Sequence, residues 1–321
     1  MTNDIEWKMV KLGDIAEFLP TNTLSRDELN YSEGEYLNIH YGDVLIKFDS
    51  VTDILNSEIP YVSLNKKFSD KSLLKNGDIV MADTAEDESV GKVTEIQNIE
   101  NYKVVSGLHT LCIRFQENLF ASKFAGYYLN SPAFHNLLLP YMHGTKVTSI
   151  SKGDVKKINF PIPYKNGSPD LETQKQIAQK LGDMDSLIAA KEELLAKKRN
   201  LKVAAMQKLL PRDTTEVKLK DCVNFVNGIA HENFVSELGE YILVNSKFIS
   251  TEGRVVKYSS KQLLPIEEHS ILMVMSDVPN GKAIGKCFYV PNSKFKGTLN
   301  QRICMLKVKD GIDSEFFYLG Y

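Results

Sequence analysis

Between Pro169 and Pro211 the chain reads PDLETQKQIAQKLGDMDSLIAAKEELLAKKRNLKVAAMQKLLP, with no internal proline and one glycine, Gly182. So long a run of Ala, Leu, Lys, Glu and Gln predicts one continuous helix. Asp170 is placed to cap its first turn and Glu172 suits the positive end of its dipole. Lys197, Lys198, Arg199, Lys202 and Lys208 suit the negative end. About 40 residues at roughly 1.5 Å each reach about 60 Å, beyond what one compact domain needs. Such a helix is either the core of one large domain or a spacer between two, and its length and polar side favour the spacer. Ile177, Leu181, Met184, Ile188 and Leu195 recur in steps of four and three, interrupted once at Lys191. Leu187, Leu194 and Leu201 form a second stripe. Both stripes predict lengthwise packing on another helix, as in a coiled coil.

The sequence on one side of this helix resembles the sequence on the other. WKMVKLGDIAEF near the N-terminus corresponds to TEVKLKDCVNF after Pro211, so that Val10, Leu12, Asp14 and Phe18 match Val217, Leu219, Asp221 and Phe225. GEYLN at Gly34 matches GEYIL at Gly239. IVMADTAEDESVGK, Ile79 to Lys92, matches MVMSDVPNGKAIGK, Met273 to Lys286, and SGLHTLCIRF at Ser106 matches TLNQRICMLKV at Thr298. The matches keep their order, which is the signature of an internal duplication. Each copy mixes short apolar or alternating runs (GEYLNIHYGDVLI, GDIVMAD, LHTLCIRF, SILMVMSD) that predict strands with a helical stretch, FASKFAGYYLNSPAFHNLLLPYM. The expected fold class is α+β: two related mixed domains, 1–165 and 213–321, joined by a long coiled-coil-type helix over 166–212. The second copy is expected to be incomplete at its C-terminal end.

At 321 residues, 43% hydrophobic and 25% charged, the chain has material for two cores. No apolar run is long enough for a membrane span, and MTNDIEWKMVK lacks the apolar centre of a signal peptide. Cys112, Cys222, Cys287 and Cys304 are scattered, so a cytoplasmic, reduced protein is expected. With 39 basic and 41 acidic residues the net charge is −2, which argues against non-specific coating of nucleic acid but not against a local basic face.

ISKGDVKKINFPIP leads through LETQKQIAQKLGDMDSLI and KRNLKVAAMQKLL into a second VKLKDCVNF. This order resembles the specificity subunit of type I restriction-modification systems, over nearly the whole chain. The resemblance implies two target-recognition domains, each reading half of a split double-stranded DNA site. It also implies a helix that sets their separation and docks methyltransferase subunits, with restriction subunits joining through the complex. The family uses two such helices and this chain carries one. Its seam is therefore expected to pair with a second specificity chain or a separate fragment. The alternative function is that of a truncated protein assembling with methyltransferase or another specificity chain as a half-site reader or non-productive decoy.

The resemblance also implies no catalysis by this chain: S-adenosylmethionine, ATP and Mg belong to the partner subunits. In agreement, the sequence has no Pro-Pro and no Gly-x-Gly of a methyltransferase. GKAIGKC, Gly281 to Cys287, has three residues between its glycines where a phosphate-binding loop needs four, and Cys follows its Lys. The six histidines lack ligand spacing, and Asp83 to Ser89 reads as a solvated acidic loop, so no metal is assigned. Base reading calls for hydroxyl, amide and guanidinium groups on loops. HGTKVTSISK offers Thr145, Lys146, Thr148 and Ser149, with Lys152 for phosphate. LNQRIC offers Asn300, Gln301 and Arg302, whose expected counterparts in the first copy are Leu108, His109 and Thr110.

Overall fold

The strand Ile79–Ala82 is apolar at every position because both of its faces are covered. Ile79 and Met81 join Leu12, Ile113, Phe134 and Phe160 in one core, while Val80 and Ala82 join Ile39, Val44, Ile96 and Cys112 in another. The structure, a computed structural model, describes residues 5–63, 66–144, 146–210, 217–277, 281–291 and 295–320. Backbone contacts divide the chain into two units, Met1–Glu192 and Glu193–Tyr321.

In the first unit a five-stranded sheet has the order Ala16–Leu19, Thr110–Phe115, Ile79–Ala82, Val93–Gln97, Val51–Asp53. All neighbours are antiparallel except the last pair. A smaller sheet is built on Tyr36–Ile39 running parallel to Lys103–Ser106. Glu6–Lys11 pairs antiparallel with Asn159–Lys165 in a third sheet. The GDVLI segment, expected as strand, is helical over Tyr41–Ile46: His40 caps it by accepting from the Gly42 N–H at 3.2 Å, which turns the chain out of the sheet. The stretch expected as one helix before Pro140 breaks in two, Phe124–Leu129 and Pro132–Leu138, because Ser131 adopts an extended backbone and caps the second through Phe134 N.

The second unit has a four-stranded antiparallel sheet in the order Val223–Asn227, Ile303–Val308, Ile271–Val274, Cys287–Tyr289. Its smaller sheet sets Tyr241–Val244 parallel to Gly297–Leu299, and Asn245 caps the helix Ser246–Ser250 that follows. The first four strands of the other unit's main sheet follow the same order, and Tyr36–Ile39 with its helix answers to Tyr241–Val244. The Gly-Lys turns close identically. Gly91 N–H donates to Ala82 O and Ala82 N–H to Lys92 O; Gly285 N–H donates to Val274 O and Val274 N–H to Lys286 O. By these bonds Ala82 stands where Val274 does, although the sequence match sets it against Ser276. A slip of two residues along a strand leaves every side chain on its original face, so the apolar pattern does not register it.

The long helix spans Leu171–Leu209. Asp170 caps it as expected, its carboxylate accepting from Thr173 N at 3.0 Å and from the Thr173 hydroxyl at 2.7 Å. These bonds hold the Asp170 carboxyl below its usual range. Pro211 lies outside the described residues.

Candidate nucleic-acid interface

His143 and Ser149 exchange backbone hydrogen bonds of 2.9 and 2.8 Å, closing the loop of the first unit that carries Lys146. Gly144 turns it at φ 125°, where an added Cβ would lie 1.9 Å from Val147 O, so only glycine fits. Thr148–Ser149 then pairs antiparallel with Thr84–Ala85. Lys146, Ser149 and Lys152 are exposed and Thr148 is half-buried; Thr145 lies outside the described residues. Lys152 Nζ lies 5.3 Å from the centre of the Phe18 ring, as does Lys156 Nζ. The strand paired with this loop continues directly into Glu86, Asp87 and Glu88, all exposed. Three carboxylates thus stand beside the loop, and they oppose an approaching phosphate.

At the neighbouring turn Gly107 N–H donates to Ile39 O at 2.8 Å, and a Cβ on Gly107 would come within 2.6 Å of Asn38 Nδ2. His109 follows at φ 53°, with Nδ1 3.5 Å from both Asp83 Oδ1 and Thr84 Oγ1 and its ring edge-on to Tyr41. Beneath it, burial and the nearby Arg26 guanidinium push His40 below the usual histidine range. Arg26 itself is held by a two-pronged pair with the buried Asp43, at 3.0 and 2.8 Å.

In the second unit the equivalent turn holds Asn300, whose N–H donates to Val244 O at 3.1 Å, and Arg302, whose carbonyl accepts from Met275 N at 3.0 Å. In the first unit Gly107 and His109 make those bonds, the latter to Asp83 N. Arg302 therefore answers to His109, one residue away from the sequence match. Asn300 is half-buried, and its Oδ1 lies 3.4 Å from the Arg302 N–H. The Gln301 amide is tied, donating to Glu232 at 2.7 Å. The buried His231 bridges Ile229 O at 2.6 Å and Thr298 Oγ1 at 2.8 Å, fixing the segment that carries Glu232. Arg302 is exposed and has no ion-pair partner among the described residues.

Asn300 and Arg302 open onto a cleft of about 650 Å³ that the sequence reading did not find. Lys247, Lys257, Lys282 and Lys286 line it as well, all exposed and without ion-pair partners among the described residues. It also holds two carboxylates, both bonded to neutral donors: Glu232 accepts from Gln301 and Asp277 from the Ala283 N–H at 3.0 Å. The Gln301 bond, helped by Arg302, holds Glu232 below its usual range.

Within this chain the long helix packs through residues other than the seam expected to meet another chain. Gln174 and Ala178 are its buried residues, and Gln174 accepts from Ala121 N at 2.8 Å and donates to Leu119 O at 3.2 Å. Asp185 accepts from the Tyr127 hydroxyl at 2.7 Å. Of the seam, Ile177 is half-buried while Leu181, Met184, Ile188 and Leu195 are exposed. Gln174 thereby supplies the backbone groups of Leu119 and Ala121 with partners that an apolar side chain could not.

The type I restriction modification DNA specificity domain model matches residues 4–197. The chain belongs to that family. A curated relative, the putative type I restriction enzyme MjaX specificity subunit of Methanocaldococcus jannaschii, is 25% identical over 219 residues, 66% of this chain and 47% of that protein. The chain thus spans about half the length of the curated relative it matches. Two solved structures share its fold. One is a type I restriction-modification S subunit from M. genitalium, at TM-score 0.55 and 17% identity, covering 99% of this chain and 77% of that one. The other comes from work on complex assembly and conformational transition of the type I restriction-modification system, at TM-score 0.52 and 16% identity, covering 98% and 79%. Among the described residues no group of His, Cys, Asp and Glu could hold a metal ion, and no helix is long and apolar enough to cross a membrane.

Proposed function

We propose that this family member is the DNA-reading, non-catalytic subunit of a type I restriction-modification assembly. Its two units descend from one target-recognition domain and read the two halves of a bipartite duplex site. The observation that carries the reading is the shared construction at the two turns, where Gly107–His109 and Asn300–Arg302 present side chains from the same place in the same strand order. Residues Lys146, Thr148, Ser149 and Lys152, with Thr145, would serve one half-site, and Asn300 and Arg302 the other. The helix over 166–212 would space the readers and offer Leu181, Met184, Ile188 and Leu195 to methyltransferase subunits, or to the same helix of a second copy. S-adenosylmethionine, ATP and Mg would act in the partner subunits, and restriction subunits would join through the complex.

Co-expression with the methyltransferase subunit of its own system, followed by genome-wide mapping of methylated bases, tests this. A two-part motif is the expected result, and a palindrome of one half would indicate pairing of two copies through the first unit. Co-purification with no methylation anywhere would replace the reading with that of a non-productive decoy.

A further inference from the structure

The net charge of −2 conceals a division. Residues 1–165 include 17 basic and 22 acidic, a balance of −5; residues 213–321 include 13 of each, and the helix region 166–212 has 9 basic and 6 acidic. The division is sharpest at the equivalent turns. The segment from Asp83 to Lys92 carries Asp83, Glu86, Asp87 and Glu88 against one lysine. That lysine, Lys92, is directed inward: its Nζ donates to Leu45 O at 3.0 Å, and burial lowers its pKa. In the second unit the segment from Met275 to Lys286 carries Asp277 alone against Lys282 and Lys286, both exposed.

We propose that the two units contribute unequally to DNA affinity: the cleft of Lys247, Lys257, Lys282, Lys286 and Arg302 is the phosphodiester anchor. The first unit supplies selection with little electrostatic attraction of its own. The inference rests on the DNA-reading function above and adds which unit holds the backbone. Five cations converge there from the helix Ser246–Ser250 and the loops around Lys257, Lys282–Lys286 and Asn300–Arg302. Five cations against two carboxylates leave the cleft a net positive charge, which a polyanion neutralises while releasing its own counterions. Duplex DNA suits the cleft better than an acidic protein, because the amides of Asn245 and Asn300 stand among the cations. That mixture of amide and guanidinium donors suits phosphate and base edges together. In the first unit Lys146 faces the opposite situation, on the loop whose paired strand runs into exposed Glu86, Asp87 and Glu88, while Lys152 lies over the Phe18 ring.

The test is fluorescence anisotropy of the full chain with a labelled duplex of arbitrary sequence, titrated across a range of NaCl concentrations. Lys257→Gln/Lys286→Gln/Arg302→Gln should flatten the plot of log Kd against log salt by about 2.7, roughly 0.9 for each phosphate contact removed. Lys146→Gln/Lys152→Gln should change it by less than about 0.9 in total. Lys257→Arg/Lys286→Arg should restore the wild-type slope, which separates charge from folding. An unchanged slope in the triple variant, or an equal loss per residue from the first-unit pair, overturns the proposal. So does the absence of duplex binding by the wild type. Displacement of the duplex by micromolar ATP would assign the cleft to a nucleotide, and loss of methyltransferase binding alone would assign it to a protein. The methylation map bears on the DNA-reading function separately, so the two failures can be told apart.

Discussion

At one strand position the two units solve the same problem differently. Arg114, on Thr110–Phe115 opposite Glu17, makes a two-pronged pair with Asp78 at 2.8 and 2.5 Å, and the Asp78 side chain is 3% exposed. Lys307, on Ile303–Val308 opposite Asn224 and half-buried, meets the exposed Glu267 at 2.5 Å. The first is a closed polar network that also draws in the Leu73 carbonyl and the Lys75 N–H; the second is a surface pair. The same contrast holds at the candidate DNA turns. His109 is hemmed in by Asp83, Thr84 and Tyr41, whereas Arg302 faces an open cationic cleft. At these turns, then, the first unit ties His109 to internal partners, while the second leaves Arg302 without an ion-pair partner among the described residues.

The largest test of that contrast is stability. Arg114→Ala leaves the Asp78 carboxylate buried without its cation and should cost about 3–5 kcal/mol in chemical denaturation. A loss under about 1 kcal/mol would mean that the pair is no more than a surface contact. Next in size is recognition. Lys146→Ala should weaken methylation at one half-site alone by about 1–3 kcal/mol if the lysine contacts a base. Unchanged methylation there removes it from the interface.

Asp170→Ala should cost about 0.5–2 kcal/mol through loss of the helix cap. Asp170 has a depressed folded pKa, so its contribution is present above the unfolded value near about 3.9 and is lost as pH falls through the folded one. The difference in melting temperature between wild type and variant should therefore narrow from pH 6 toward pH 3, and a constant difference would argue against the charged cap. Smallest of all, Lys307→Ala should cost about 0–1 kcal/mol, so a loss matching that of Arg114→Ala would erase the distinction between the units.

How far the sequence could be read depended on the range of the interaction. The long helix, its Asp170 cap and the order of the repeated segments were legible because each depends on residues a few positions apart. Strand register was not: the match of Ala82 to Ser276 is two residues from the pairing the backbone makes, and period-two patterns cannot detect such a slip. Asn300 and Arg302 were found as local donor clusters. Lys247 and Lys257 were missed, since only the parallel pairing of Tyr241–Val244 with Gly297–Leu299 brings them beside Arg302. A signal did exist in the matched segments, four acids and one lysine from Asp83 to Lys92 against one acid and two lysines from Met275 to Lys286, which a whole-chain sum conceals.

By itself, the sequence determined the family, the helix and the repetition, because propensity and periodicity act along the chain. Which helix face packs, and where free cations gather, was decided only by tertiary structure. Gln174, a polar residue outside the apolar seam, became the buried contact because unsatisfied backbone groups of Leu119 and Ala121 meet it. Burial follows from what lies opposite a side chain, and that depends on residues far away in sequence.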